Sequence, residues 1–516
     1  MIRHILFCLL TVVCSIQGAS AQKTLSLNDA ATPSILYSSG TIQRNNQIGG
    51  YYFLMQNDKV DKTTNAYALH VLDENLNRVR KIKFNASSNI RLQEAAASDS
   101  SMAFLFFYPM DRKYELRIYD HDGELLQTYA RTYDSEKRKL HLQNMSQHNE
   151  SDANRTLFEV GANGYMAVFV RWQGKGTCTY DINFYDVKKH KTTKFSPGVA
   201  DKDFLRADFL AKTDSLLFLE ISNRRSSRAS TSIVAFNIHT KKKAFEVNAN
   251  KEKWQFEPAA VLPVPGQDTI VMVGKYFEKG ERHMKSNGKG IAIYRVSRNT
   301  GAILTRTYNS WETEINRLYS CNKKGKNAEN GYLYLHNAAL GPDGKLFVAA
   351  EGYSRKVYPF GVVYSTVLLP FHMTPSFTTV ANADMVVLEF SNTDKLVKAV
   401  TYDKPGTRMM SRMDFLNRHM VARSMRTVGR FGYQFIHPSG NPGHFSICYY
   451  SSRSSESESG YFTYLRYNGQ KFRQYEVALR TRERTTTVLP AKPGFLLIIE
   501  DNRKEKTVEM RMEKIS

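Results

Sequence analysis

The chain has 516 residues and 59.0 kDa, with 42% hydrophobic, 23% charged and 12% aromatic residues. That is too rich in aliphatic and aromatic side chains for a disordered chain. Five cysteines are too sparse for a disulfide-stapled miniprotein. A net charge of +23 would point first to nucleic acid in a cytosolic protein, but the start of the chain argues against that setting.

Residues 1–21 read as an export signal. Arg3 and His4 form a short polar start, residues 5–13 are an apolar run too short to span a bilayer, and Ala19-Ser20-Ala21 offers a small-x-small cleavage site. The mature chain is therefore expected to begin at Gln22, as a single domain over 22–516. Lipidation at Cys14 is disfavoured because Val13 is bulkier than the small residue expected there. No later stretch reaches the length of a spanning helix, so no transmembrane span is expected. Cys178, Cys321 and Cys448 remain after cleavage; an odd number allows at most one bridge, and burial as small hydrophobes is the simplest expectation. Export turns the excess positive charge away from nucleic acid and towards an anionic polysaccharide, lipid headgroups or an acidic envelope protein, unless it merely solvates the surface.

In chain order, a strand unit recurs. Residues 67–73 read YALHVLD, 114–120 YELRIYD and 180–186 YDINFYD, one pattern of alternating apolar positions that begins with Tyr and ends with Asp. Looser versions follow at 232–238, 291–297, 385–391 and 461–467. Each is followed by a polar turn rich in Asp, Asn, Gly or Lys and another strand, and is preceded by two apolar segments joined by a turn such as Gly341-Pro342-Asp343-Gly344. The unit is thus four antiparallel strands. Seven copies start near residues 36, 92, 157, 204, 257, 332 and 433, and an eighth starts near 485 without a fourth strand, which residues 24–37 are placed to supply. The predicted fold is all-β: a β-propeller of four-stranded antiparallel blades, eight favoured over seven, closed by pairing of the chain ends, with a β-sandwich array third. A lone four-stranded sheet cannot bury both faces, whereas a ring of them can.

Long connections are predicted at 131–156, 277–289, 313–331, 352–383 and 403–432, all on one face if the strand order is right. The segment 403–432 is the most basic. It carries Arg408, Arg412, Arg418, Arg423, Arg426 and Arg430, preceded by Lys404, against the single acid Asp414 beyond Asp403. Arg is suited to bidentate contact with carboxylate, sulfate or phosphate, so these six arginines are the candidate ligand-binding residues. Met409, Met413, Leu416 and Met420 recur at helical spacing, which also fits a helix packed on the rim with a solvated Arg face. A second candidate set, Glu94, Glu159, Asp208, Glu257 and His336, opens the first strands of successive units and would line a central channel. Paired carboxylates there could act as general acid and base on a glycan, the alternative to an ordinary polar lining.

Other motifs fail. Asp120-His121-Asp122-Gly123 lacks the later ligands of a calcium loop and reads as a hairpin turn. His141, His148 and Glu150 share one polar loop, a poor metal site. There is no H-E-x-x-H, G-x-S-x-G or phosphate-binding loop, and the glycines at 174–176 and 288–290 fall between strands. No metal or cofactor is expected. With its leader and segments such as YYFLMQNDKVDKTTNAYALHVLDENLNRVRKIKF (51–84), the chain resembles uncharacterised secreted β-propeller-like proteins of Bacteroidota. The resemblance covers most of the chain and implies a periplasmic, outer-membrane-associated or extracellular location, but no active-site residues. The reading it leaves is a non-catalytic binding or scaffold protein, with a carbohydrate-active hydrolase or lyase as the alternative.

Overall fold

The structure, a computed structural model, describes residues 24–26, 35–132, 155–172, 178–198, 205–223, 230–247, 249, 253–279, 286–357, 378–404, 406, 408–410, 418–427, 429–451, 461–479 and 485–515. Residues 1–21, read above as an export signal, the loop holding His141, His148 and Glu150, the glycines at 174–176 and Arg412 lie outside them, as do parts of every predicted long connection but 313–331.

The protein is all-β. Among the described residues the strands form eight four-stranded antiparallel units in chain order: 35–87, 91–132, 157–195, 205–247, 254–310, 331–402, 433–478 and 485–514. The last unit has three strands of its own, Thr485–Pro490, Phe495–Asn502 and Thr507–Lys514; its fourth is Thr24–Ser26, antiparallel to Thr507–Lys514 with Leu25 opposite Met510. Units 1 and 2 are additionally joined by a short parallel pairing of their first strands, Ile42 opposite Ala95. The predicted starting points of all eight units agree with the observed strands to within a few residues.

Burial follows strand position within the unit. Second strands are apolar on both faces, as in Ser101–Tyr108 (SMAFLFFY), where every residue is buried. Fourth strands are outermost and largely exposed, as in Leu125–Thr132 and Lys191–Phe195. Strands buried on both sides need near-continuous apolar runs, and the second strands supply them. The core is divided accordingly. Each unit shares an apolar cluster with the next, for example Phe104 with Leu54 between units 1 and 2, and Phe218 with Met272 between units 4 and 5. Unit 8 shares one with unit 1, where Leu497 and Met510 meet Tyr51 and Phe53.

Two connections add structure of their own. After unit 5, Trp311–Ile315 and Asn316–Tyr319 form a short helical turn that buries Trp311 and Ile315, and Lys326–Asn327 pairs with the first strand of unit 6. After unit 6, Arg408–Met410 pairs with Thr378–Phe390, and Arg418–Thr427 forms a helix, here α1. Cys178, Cys321 and Cys448 form no disulfide and are buried. Burial pushes the Cys321 thiol up to about 11 and the Cys448 thiol higher, which makes both poor nucleophiles. Asp120 accepts from the amides of Asp122 and Glu124, and Asp122 pairs with Arg80, so this segment is a hairpin turn.

Candidate functional site

The two predicted residue sets meet in one polar cluster. Helix α1 is anchored by Val421, Ala422 and Met425, which are buried against Tyr332, Tyr353, Val380 and Phe431. Of the methionine stripe read in the sequence, Met409 lies in the strand Arg408–Met410 and Met420 in α1, while Met413 and Leu416 lie outside the described residues. The anchored helix turns Arg423 and Arg426 towards other units. Arg423 Nη2 lies 3.4 Å from Glu220 Oε1 of unit 4 and 3.6 Å from Glu257 Oε1 of unit 5. Arg426 Nη1 donates to His336 Nδ1 of unit 6 at 2.7 Å and stands 5.3 Å from the Tyr433 ring of unit 7. One helix between units 6 and 7 thus touches four units.

The charges in this cluster are shaped by burial and by each other. Asp208 and Glu220 are direct cross-strand neighbours, and Arg206 Nε donates to Asp208 at 2.6 Å. Burial pushes the Glu220 carboxyl up to about 7; Arg423 opposes that shift, while Asp208 and Glu257 add to it. Glu257 faces Lys275 across the first two strands of unit 5. Burial lowers Lys275 to about 8 despite Glu257, and its Nζ donates to the Leu333 carbonyl at 2.7 Å. His336 stacks on Tyr433 with ring centroids 4.6 Å apart. Burial drives it down to about 4, so it is neutral at pH 7. Because Arg426 can only donate, His336 Nδ1 must accept, which leaves the proton on Nε2, 3.6 Å from Glu351 Oε2.

Glu351 is the anchor of the 403–432 segment. It is fully buried, pairs with Lys404 Nζ, and accepts the backbone N–H groups of Gly432 and Tyr433 at 3.0 Å each. Burial works against its charge, yet Lys404 and His336 outweigh that and hold the carboxyl down at about 2. Both ends of the segment are therefore tied to one carboxylate. Beside it, a cavity of about 490 Å³ opens between Lys326, Asn330, Arg355, Asn382, Asp384 and Lys404.

The remaining predicted channel residues lie elsewhere. Glu94 accepts the N–H groups of Thr156 (2.9 Å) and Leu157 (2.8 Å) and the Thr156 hydroxyl (2.6 Å), so it clamps unit 2 to the entry of unit 3. Glu159 is buried between Lys212 (2.8 Å) and Arg155 (3.4 Å) and accepts the Asn46 N–H of unit 1 at 3.1 Å. Burial raises its carboxyl, but Arg155 and Lys212 prevail and its pKa is lowered. Of the predicted arginines, Arg430 is exposed, and its carbonyl accepts from Asn382 at 2.9 Å. Arg408 lies in a short strand and Arg418 at the start of α1; their side chains fall outside the description.

Glu220, Lys275 and Glu351 were not singled out from the sequence, and Lys404 was counted in the basic segment without a partner. A signal for three of them exists: each of Glu220, Lys275 and Glu351 is an ionisable residue late in the apolar run of a second strand, in LLFLEISN, TIVMVGKYFE and LFVAAEGYSRKV. Glu500 in FLLIIEDN repeats it and pairs with Arg511 at 2.7 Å.

These features describe an all-β repeat protein whose units are tied together by internal ion pairs. The chain belongs to the Family of unknown function (DUF6770), whose profile matches residues 1–516. No curated protein matches it. Among solved structures it is similar to the WD40 domain of SCAP from fission yeast (8% identity, 95% of this chain and 98% of that one, TM-score 0.37). It is also similar to polysaccharide lyase Uly1 (8% identity, 96% and 99%, TM-score 0.43). A prolyl endopeptidase matches at 11% identity and TM-score 0.42, over 92% of this chain and 54% of its own, so the chain spans about half of that enzyme. At these scores the likenesses carry no part of the functional argument, which rests on the strand pairing and the side chains.

Proposed function

We propose that the eight units are blades of one closed eight-bladed propeller. On this reading the chain is an exported, non-catalytic binding or scaffold protein of a bacterial envelope that holds an anionic glycan or acidic protein on its long-connection face. Ring closure is supported by the run of apolar clusters joining each unit to the next, including unit 8 to unit 1, and by the pairing of Thr24–Ser26 with Thr507–Lys514. Export and a Bacteroidota setting rest on the leader and the repeat style of the sequence. In an antiparallel meander, second-to-third turns and unit-to-unit links fall at the same end, which gathers 131–156, 277–289, 313–331, 352–383 and 403–432 on one face.

One observation carries the non-catalytic reading. Every acid predicted to line the channel is engaged within the protein: Glu94 by backbone amides, Glu159 by Arg155 and Lys212, Asp208 by Arg206 and Glu257 by Arg423. A general acid or base must be within reach of a substrate proton, and these carboxylates already hold the protein together. The second reading, a carbohydrate-active hydrolase or lyase, is favoured only by Glu220, whose carboxyl near 7 suits proton transfer.

The test is retention of the full mature chain on immobilised polygalacturonate against a neutral dextran column. Reversing Arg408, Arg412 and Arg430 to Glu is expected to release the protein at lower salt. Unchanged retention removes this face as the site. Shortening of soluble polygalacturonate, abolished by Glu220→Gln, would replace the binding reading with the enzymatic one.

A further inference from the structure

Exposed lysines gather on two neighbouring turns, between the third and fourth strands of units 3 and 4. Unit 3 turns from its third strand, Cys178–Asp186, into its outer strand, Lys191–Phe195, through Lys188, Lys189 and His190. Unit 4 makes the same turn from Ser230–Asn237 into Lys242–Val247 through Lys241. Lys188, Lys189, Lys191, Lys194, Lys242 and Lys243 are exposed, and Lys241 is half-buried.

The two turns are neighbours. Lys241 Nζ lies 5.8 Å from the Phe184 ring of unit 3, and Phe184 and Ile238 share the apolar cluster between the units. On the far side of unit 3, Gln127 of unit 2 donates to the Val187 carbonyl at 2.9 Å, which fixes that turn from outside. The ridge is therefore a rigid feature of two adjacent units.

Its charge is largely uncompensated. Lys243 pairs with Glu246 at 3.3 Å. Lys194 reaches Asp181 at 3.3 Å, but that buried carboxylate already holds Arg131 and Arg171, both at 2.9 Å. Asp186 accepts the Lys189 N–H at 3.0 Å, which makes it a turn cap. Among the described residues, no acidic side chain pairs with Lys188, Lys189, Lys191 or Lys242.

We propose that this lysine ridge of units 3 and 4 is a docking surface for an extended acidic polysaccharide. Lysines are mobile point charges that follow a repeating line of carboxylates or sulfates without demanding one fixed geometry. Six exposed lysines fall on two neighbouring turns and the strands that follow them, so a polymer lying across both units meets several at once, whereas a small anion would meet one or two. Complementary charge without a pocket gives salt-sensitive attachment, the behaviour of a polyelectrolyte contact. This surface is separate from the long-connection face, and the two readings stand or fall independently.

Lysines on outer strands also discourage edge-to-edge aggregation, so the test must separate the two roles. The quadruple variant K188Q/K189Q/K242Q/K243Q, made in the full mature chain, is compared with wild type on immobilised polygalacturonate over a salt series. By analogy with counterion release, losing four contacts should flatten the slope of log affinity against log salt by about three, with release at clearly lower salt. The thermal melt should be unchanged, since all four side chains are exposed. Unchanged retention overturns the proposal, and self-association of the variant with retention intact assigns the lysines to edge protection. Wild-type sedimentation with anionic phospholipid vesicles and no retention on polygalacturonate also overturns it, in favour of a lipid surface. Loss of retention in R408E/R412E/R430E alone would leave the long-connection reading standing and this one refuted.

Discussion

Two basic regions of similar composition have opposite fates. In the 403–432 segment, Lys404, Arg423 and Arg426 turn inward and meet Glu351, Glu220, Glu257 and His336 from three different units. Across units 3 and 4, seven lysines stay at the surface with little acid beside them. The difference lies in what surrounds each segment. Val421, Ala422 and Met425 bury one side of α1, and that drags its neighbouring charges into contact with buried carboxylates. Lys188–Lys191 and Lys241–Lys243 sit on fourth strands and the turns before them, where all but the half-buried Lys241 are exposed. Local positive charge therefore nominates a ligand surface in this protein only where it stays exposed and unpaired. Where an apolar stripe accompanies the charge, the charge is spent on architecture.

The comparison breaks most sharply at Lys404. Replacing it with Met strands the Glu351 carboxylate in a fully buried site, a loss expected to cost about 3–5 kcal/mol in urea unfolding. The K404M/E351Q double variant should recover part of that loss, because no charge is then left alone. If K404M unfolds like wild type, the inward region is no more structural than the outward one.

Acid should distinguish the regions next. His336 and His437 are held neutral by burial down to about 4, whereas an unfolded histidine protonates near 6.5. As pH falls from 6.5 to 4 the unfolded chain takes up protons that the folded chain refuses. Stability should therefore decline across that window, by up to about 3 kcal/mol per histidine. Glu351, held at about 2, adds a further loss between 4.5 and 2. His437→Gln should flatten the upper part of the profile, because Gln can still donate to the Lys492 carbonyl but carries no proton to gain. Urea midpoints at pH 7, 5.5 and 4.5 measure both effects; a flat profile would mean that the histidines are open to water.

Arg423→Ala is the intermediate case. Glu220 and Glu257 lose their shared cation, and the expected cost at pH 8 is about 2 kcal/mol, reduced from a fully buried pair because Arg423 keeps 28% of its side-chain exposure. At pH 5 the deficit should shrink, since Glu220 is already pushed up to about 7 and takes a proton readily. A deficit independent of pH would show that the helix is held by its apolar side alone.

Much of the architecture was legible because period and turn chemistry are local. YALHVLD, YELRIYD and YDINFYD each proved to lie in third strands, and the fourth strand of the last unit, expected within 24–37, is Thr24–Ser26. What could not be read was contact between distant units. Arg423 and Glu220 are 203 residues apart, and no local pattern announces that they meet. The two predicted sets, arginines and channel acids, were named separately although part of each forms one cluster. Glu94 was legible as a polar residue of a first strand, though it lies within Arg91–Ala97 and not at its start, and it was not legible as a clamp, because its partners include backbone amides, which carry no side-chain signature.

The smallest expected effect gives the comparison its sharpest control. Lys242 is exposed at the start of an outer strand, with no acidic partner among the described residues. Lys242→Glu should therefore change stability by no more than about 0.5 kcal/mol. The sign is informative within that narrow range. Lys242 lies between Lys241 and Lys243 and near the lysine turn of unit 3, so an acid there relieves like-charge repulsion and should be neutral or slightly stabilising at low salt. Added salt screens that repulsion and should erase the gain. The same change would remove one positive contact from the ridge, so a protein that melts slightly higher yet leaves polygalacturonate at lower salt is the expected pairing. A clear loss of stability would mean that Lys242 has a structural partner, and the division between inward and outward charge would have to be redrawn at that position.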